Sequence, residues 1–188
     1  VAEQCQQIDI KNPIILLEPV GRNTAPAIAA ASLQSLNTSN DAVLLVLSAD
    51  HVIQDIGKFH EAINIASNQA QEGKLATFGI LPTDANTGYG YVKLSKNNTD
   101  GAYKVEEFVE KPGLETAEKY LDKGNYLWNS GMFMFKADTL INELTTYSPD
   151  TVKFVSDAVN NATQDLDFIR LDKQAFESSP SDSIDYAL

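Results

Sequence analysis

The sequence contains a single cysteine, Cys5, so no disulfide can form within it and nothing points to an oxidising compartment. A small half-buried side chain is the plain role for that thiol. There are two histidines, His51 and His60, and neither has a partner at metal-ligand spacing. Cations are scarce: 14 Lys and Arg stand against 26 Asp and Glu, a formal charge of −12. That balance excludes a sequence-independent grip on nucleic acid or an anionic membrane. A chain this acidic can handle anionic substrates only by concentrating its few cations or recruiting a metal. No apolar run approaches the length of a membrane span. The opening VAEQCQQIDI lacks both the basic and the apolar region of a signal peptide, and it has no initiator methionine. It reads as the interior of a longer chain, so a fragment of a cytoplasmic protein is expected. No G-x-G-x-x-G follows a strand, which sets aside a nicotinamide-dependent Rossmann enzyme.

What is present is an ordinary globular composition, 43% apolar and 21% charged over 188 residues, enough for one well-buried domain. Ile14–Leu17 reads as a buried strand, and Asn23 or Thr24 can cap a following helix that Pro26 enters in its first turn. Ala42–Leu47 is apolar at every position, the pattern of a parallel central strand covered on both faces. Phe59, Ala62, Ile63, Ala66 and Ala70 recur at helical spacing from Lys58 to Gln71, and Gly73 closes that helix. Further strands are predicted at 75–80, 91–95, 105–109 and through 131–135, with helices near 114–123, 137–147 and 150–162; KNNTDG between two of the strands reads as a turn. Strand and helix alternate, so the predicted class is α/β with a mainly parallel, twisted sheet flanked by helices.

Asp50 lies just past the carboxyl end of the apolar strand, where open α/β sheets place ligands, and its carboxylate suits Mg²⁺. The plainer role for Asp50 is a cap. Arg22, Asn23 and Thr24 occupy a strand–helix turn whose backbone N–H groups form a ready anion site, although by motif shape alone capping is favoured. TGYGY at Thr87–Tyr91 sets glycines on both sides of Tyr89, which lets backbone approach a ligand or simply makes a mobile tip. Trp128-Asn129-Ser130-Gly131-Met132 interrupts an apolar strand with a polar pair and a glycine, the mark of a bulge or a close approach. VEEFVEKPG ends a strand on Glu110 and Lys111, held by Pro112. Glu110 suits a vicinal diol, Lys111 a phosphate and Asn129 a hydroxyl, which together are groups for a phosphorylated sugar.

In this order, EPVGRNTAPAIAAA, VLLVLSADHVI, LATFGILPTDANTGYGYV, VEEFVEKP, WNSGMFMF and SIDYAL resemble the sugar-phosphate nucleotidyltransferases, from about Ile14 to Leu188. Within them the chain is most similar to the bacterial mannose-1-phosphate guanylyltransferases often fused to a mannose-6-phosphate isomerase domain. The resemblance implies a Rossmann-like, glycosyltransferase-A-like fold. It also implies transfer of a guanylyl group from GTP to mannose 1-phosphate, giving GDP-mannose for polysaccharide biosynthesis. By the same resemblance, Mg²⁺ would be held by Asp50 and Asp185, and Arg22, Asn23 and Thr24 would face the nucleotide. Gly90, Glu110, Lys111, Asn129 and Gly131 would hold the sugar phosphate, with Asp50 and Lys111 as the catalytic groups. The implied partners are GTP and mannose 1-phosphate, without nucleic acid or membrane, and a homo-oligomer stays open.

The chain lacks the family's glycine-rich basic loop and stops within SIDYAL. Residues 1–188 are therefore expected to be a nucleotidyltransferase domain truncated at both ends, with little or no activity alone. Two alternatives stay open: a thymidylyl- or uridylyltransferase acting on glucose 1-phosphate, and a non-catalytic regulatory paralogue that binds nucleotide-sugar.

Overall fold

A computed structural model describes residues 1–188. In chain order the elements begin α1 (Ala2–Gln7), β1 (Ile15–Leu17), α2 (Thr24–Leu36), β2 (Val43–Val46), α3 (Ile56–Gln71) and β3 (Ala76–Ile80). Then come β4 (Tyr91–Thr99), β5 (Ala102–Val109), α4 (Leu114–Lys123), β6 (Tyr126–Lys136), α5 (Ala137–Tyr147) and α6 (Pro149–Asn160). β7 (Thr163–Asp165), β8 (Phe168–Arg170), α7 (Lys173–Ser178) and α8 (Ile184–Ala187) complete the chain. They form two compact units: Val1–Ala42 with Ala137–Leu188, and Val43–Lys136. No helix is long and apolar enough to cross a membrane.

The unit Val43–Lys136 is a five-stranded sheet organised by the long strand β6. Phe133 and Met134 pair with β2 and with β3, while Trp128 pairs with β3 and with β4, so β2 and β4 share one edge of β6 and β3 takes the other. Every hydrogen-bonded pairing in this sheet is antiparallel, which corrects the expected mainly parallel sheet. β2 and β3 do run in the same direction, joined by α3, but antiparallel β6 lies between them and takes their hydrogen bonds. The unbroken apolar run reports burial and does not encode strand direction. The α/β class itself stands.

Asp55 starts α3 by accepting the Lys58 N–H at 3.0 Å, a bond that lowers its carboxyl pKa. Ala66 and Ala70 of that helix then pack with Phe78, Met132 and Met134. A second apolar layer sets α4 against the sheet through Ala117, Tyr91 and Tyr126, with Tyr120 stacked on Tyr126 at 3.8 Å. β4 runs on through Lys96–Thr99, where a turn is predicted, and the reversal is confined to Asp100 and Gly101 at φ 50° and 87°.

In the other unit, β1 pairs parallel with β8 and β8 antiparallel with β7. The buried side chains there come from α2 (Ala25, Ala29), α5 (Leu140, Leu144), α6 (Val155), α7 (Phe176) and α8 (Ile184). The short strands β7 and β8, with helices α1, α7 and α8, go beyond the elements read from the sequence.

Candidate functional site

The edge of β6 shared by β2 and β4 has a break in it. β2 ends opposite Phe133 and β4 begins opposite Trp128, so Asn129 to Met132 have no strand alongside on that edge. Side chains make up the loss. Asn129 Oδ1 accepts the Gly131 N–H at 3.2 Å, and Ser130 Oγ accepts the Met132 N–H at 3.1 Å while donating to the Phe78 carbonyl at 2.5 Å. Gly131 sits at φ 68° with nothing within 4 Å of where a Cβ would be, so its conformation, not crowding, requires glycine. Opposite it, the pairing of β3 shifts register between Thr77 and Gly79, the bulge that the glycine predicts.

Three predicted sugar-phosphate residues meet beside this break. The Asn129 N–H donates to the Gly90 carbonyl at 2.8 Å, joining β6 to the start of β4. Tyr91 pairs with Val109, which brings Glu110 alongside Gly90. A Cβ on Gly90 would lie 2.9 Å from Glu110 Oε2 and 3.7 Å from Asn129 Cβ. The bare Cα of Gly90 therefore makes the space that the Glu110 carboxylate fills, next to Asn129.

Lys111 Nζ lies 3.0 Å from Glu110 Oε1, and both side chains are largely exposed, so the pair adds little to stability. Lys111 nonetheless holds a left-handed backbone at φ 39°, and Pro112 behind it is buried. A strained residue kept at a strand end by a buried proline is a placed charge, not a free surface lysine. Thr77, missed in the sequence, donates to the Met132 carbonyl at 3.2 Å and stands 3.5 Å from Asn129 Oδ1. It sits inside an apolar strand pattern, and only its pairing across β6 marks it.

Asp50 lies on an exposed turn after β2, the strand whose end borders the break. Mg²⁺ keeps several waters and needs only one or two protein carboxylates beside substrate phosphates. Asp50 fits as such a ligand, and no group of three or more His, Cys, Asp or Glu forms an all-protein cage.

The remaining candidates belong to the unit Val1–Ala42 with Ala137–Leu188 and are tied to one another. Asn23 caps α2, its Oδ1 accepting the Thr24 N–H at 2.8 Å. Thr24 Oγ1 accepts the Ile184 N–H at 2.9 Å, and the Ala25 N–H donates to the Asp182 carbonyl at 3.1 Å. Arg22 donates to the Glu177 carbonyl at the end of α7. Thr24 is thereby tied to the start of α8, whose first turn carries Asp185. These bonds agree with the capping favoured by motif shape: the Thr24 and Ala25 N–H groups are engaged, and Pro26 has none.

Nearby in sequence, burial raises the Glu18 carboxyl pKa. A carboxyl raised on folding contributes its stability in acid and loses it as pH rises through the folded-state value. Glu18→Gln is therefore expected to raise the melting temperature slightly at neutral pH, a small gain because the residue is exposed. No gain is expected below the ordinary glutamate pKa. Thermal scans at the two pH values check this.

The chain matches the nucleotidyl transferase family over residues 1–174. It is 53% identical over 190 residues to mannose-1-phosphate guanylyltransferase RfbM of Salmonella typhimurium, covering 100% of this chain and 40% of that protein. It is 52% identical over 187 residues to xanthan biosynthesis protein XanB of Xanthomonas campestris, with the same coverage of 100% and 40%. Among solved structures, mannose-6-phosphate isomerase from Helicobacter pylori superposes with a TM-score of 0.86 at 32% identity, covering 99% of this chain and 72% of that one. Mannose-1-phosphate geranyltransferase from Thermus thermophilus superposes with a TM-score of 0.83 at 32% identity, covering 99% and 52%. The chain thus spans about 40% of the length of the curated relatives it matches. On the family match over nearly its whole length, the chain belongs to the nucleotidyl transferases.

Proposed function

We propose that this chain is the nucleotidyl-transfer part of a cytoplasmic enzyme that joins mannose 1-phosphate to GTP, forming GDP-mannose and releasing pyrophosphate, for polysaccharide biosynthesis. The observation that carries the proposal is the cluster at the break in β6, where the Glu110 carboxylate fills the space left by Gly90 beside Asn129 and Lys111. An acceptor for a diol and a cation for a phosphate at the end of β5, with an amide on β6, suit a phosphorylated hexose. The names of the relatives support mannose as the sugar and guanylyl as the group transferred.

In this reaction a phosphate oxygen of mannose 1-phosphate attacks the α-phosphorus of GTP in line, and the bond from that phosphorus to the departing pyrophosphate breaks. The attacking oxygen is already ionised, so no proton need be removed. The protein's task is to position both substrates and neutralise their charge. Lys111 meets the sugar phosphate as a point charge, while Glu110 and Asn129 orient the hexose through its hydroxyls and Gly90 and Gly131 shape the pocket floor. Arg22, Asn23 and Thr24 are assigned to the nucleotide. Asp50 would hold Mg²⁺, which when bound supplies Lewis-acid stabilisation of the phosphates.

The test is an assay of a protein of the relatives' full length that carries this chain. GTP with mannose 1-phosphate is expected to yield GDP-mannose and pyrophosphate, and the 188-residue chain alone little or none. Far better use of dTTP or UTP with glucose 1-phosphate, or only interconversion of hexose 6-phosphates, would overturn the assignment. Lys111→Ala is expected to weaken mannose 1-phosphate binding about tenfold, as loss of one charge-assisted contact to phosphate should. Unchanged affinity by calorimetry would remove Lys111 from the pocket.

A further inference from the structure

Trp128 is the only tryptophan of the chain, and it directly precedes Asn129 on β6. Its indole N–H is buried and has no hydrogen-bond acceptor. Buried donors are nearly always paired, so an orphan of this kind calls for an explanation. With no hydrogen bond to fix it, the ring is held by packing alone. The indole packs against the buried cluster of Tyr91, Ala117 and Tyr126, and on its exposed side Tyr89 meets it edge-on with ring centroids 5.1 Å apart and planes at 61°.

Tyr89 directly precedes Gly90, so the two aromatic residues are the chain neighbours of the two residues that the Asn129 N–H to Gly90 carbonyl bond joins. Successive side chains of a strand point to opposite faces. Trp128 thus packs on the face away from Asn129, and the ring contact clamps from behind the strand pair that carries the pocket. The loop is pinned beneath Tyr89: the Gly88 N–H donates to Asn86 Oδ1 at 2.8 Å, and the Tyr91 hydroxyl donates to the Asn86 carbonyl at 2.8 Å. Tyr89 itself, between two glycines, is 49% exposed and is the part of the clamp with room to move.

We propose that Tyr89 is a positioning residue of the sugar-phosphate pocket. It acts through Trp128 to hold Gly90 and Asn129 in register, and it shifts against the indole when a hexose phosphate enters. This rests on the assignment of that pocket above.

The sole tryptophan makes the test specific. The 188-residue chain is titrated with mannose 1-phosphate while calorimetry records binding, and tryptophan emission and the single indole N–H resonance record the clamp. Binding is expected to shift both signals with the calorimetric Kd. Tyr89→Ala is expected to weaken binding about tenfold with a nearly unchanged melting temperature, and Tyr89→Phe, which keeps the ring edge, to restore it. Calorimetric binding without any change at Trp128, or wild-type affinity in Tyr89→Ala, would overturn the clamp and leave the pocket standing. No calorimetric binding by the unaltered chain would overturn the pocket, and the clamp with it.

Discussion

Asp50→Asn, placed in a protein of the relatives' full length that carries this chain, is expected to lower GDP-mannose formation about 10²–10³-fold. The substitution keeps the shape of the side chain and removes the charge that would hold Mg²⁺. Asp50 is exposed on a turn outside the sheet, so stability should move by no more than about 0.5 kcal/mol. Steady-state rates at saturating GTP and mannose 1-phosphate, set beside a thermal scan, separate the two effects. A wild-type rate would take Asp50 out of the mechanism. Equal loss of rate and of melting temperature would make it a structural cap.

Two glycines that flank Asn129 across the sheet should respond to alanine in opposite ways. Gly79 pairs with Asn129 from β3, and a Cβ there would overlap Leu127, lying 2.8 Å from the Leu127 Cβ as well as against its Cδ1. A Cβ is fixed to its backbone, so rotamer change cannot relieve the overlap. Gly79→Ala is expected to cost about 3 kcal/mol, roughly 6–12 °C in melting temperature for a chain of this size. At Gly90 the added Cβ would meet the free end of Glu110, which can swing away. Gly90→Ala should cost under about 1 kcal/mol yet displace the carboxylate and weaken mannose 1-phosphate binding about tenfold or more. Melting curves and binding isotherms on both variants check the contrast. A stability loss at Gly90 as large as at Gly79 would mean that Glu110 is packed in place and is not available to a ligand.

Much of this arrangement is legible in residue order, for identifiable reasons. The cap at Asn23, the helix from Leu114 closed by Gly124 at φ 68° and the bulge at Gly131 follow from local rules, because each is decided by one residue's conformational preference. A reversal is legible within KNNTDG, but not its confinement to Asp100-Gly101, because the polar run Lys96–Thr99 hides a strand whose side chains are mostly exposed. Strand direction is not legible. Four apolar residues in β2 look alike whether the neighbour runs parallel or antiparallel, and β6, the strand that decides it, lies far along the chain.

The site shows the same division. Glu110, Lys111 and Asn129 are visible as polar groups at strand ends and interruptions, whereas the part played by Gly90, an absent side chain filled by a carboxylate from another strand, exists only in the pairing. Thr77 and the orphan indole of Trp128 likewise depend on cross-strand partners that no local pattern announces. At α2 the local rule finds the cap correctly, while the Asp182 carbonyl, remote in sequence, takes up the Ala25 N–H that an anion site would have used.

Amide chemical shifts of the 188-residue chain, followed while mannose 1-phosphate is added, test the pocket most directly. The resonances of Gly90, Glu110, Lys111, Asn129 and Gly131 are expected to move together along one saturation curve. Silence at these five, or movement confined to other parts of the chain, would contradict a sugar-phosphate site at the break in β6.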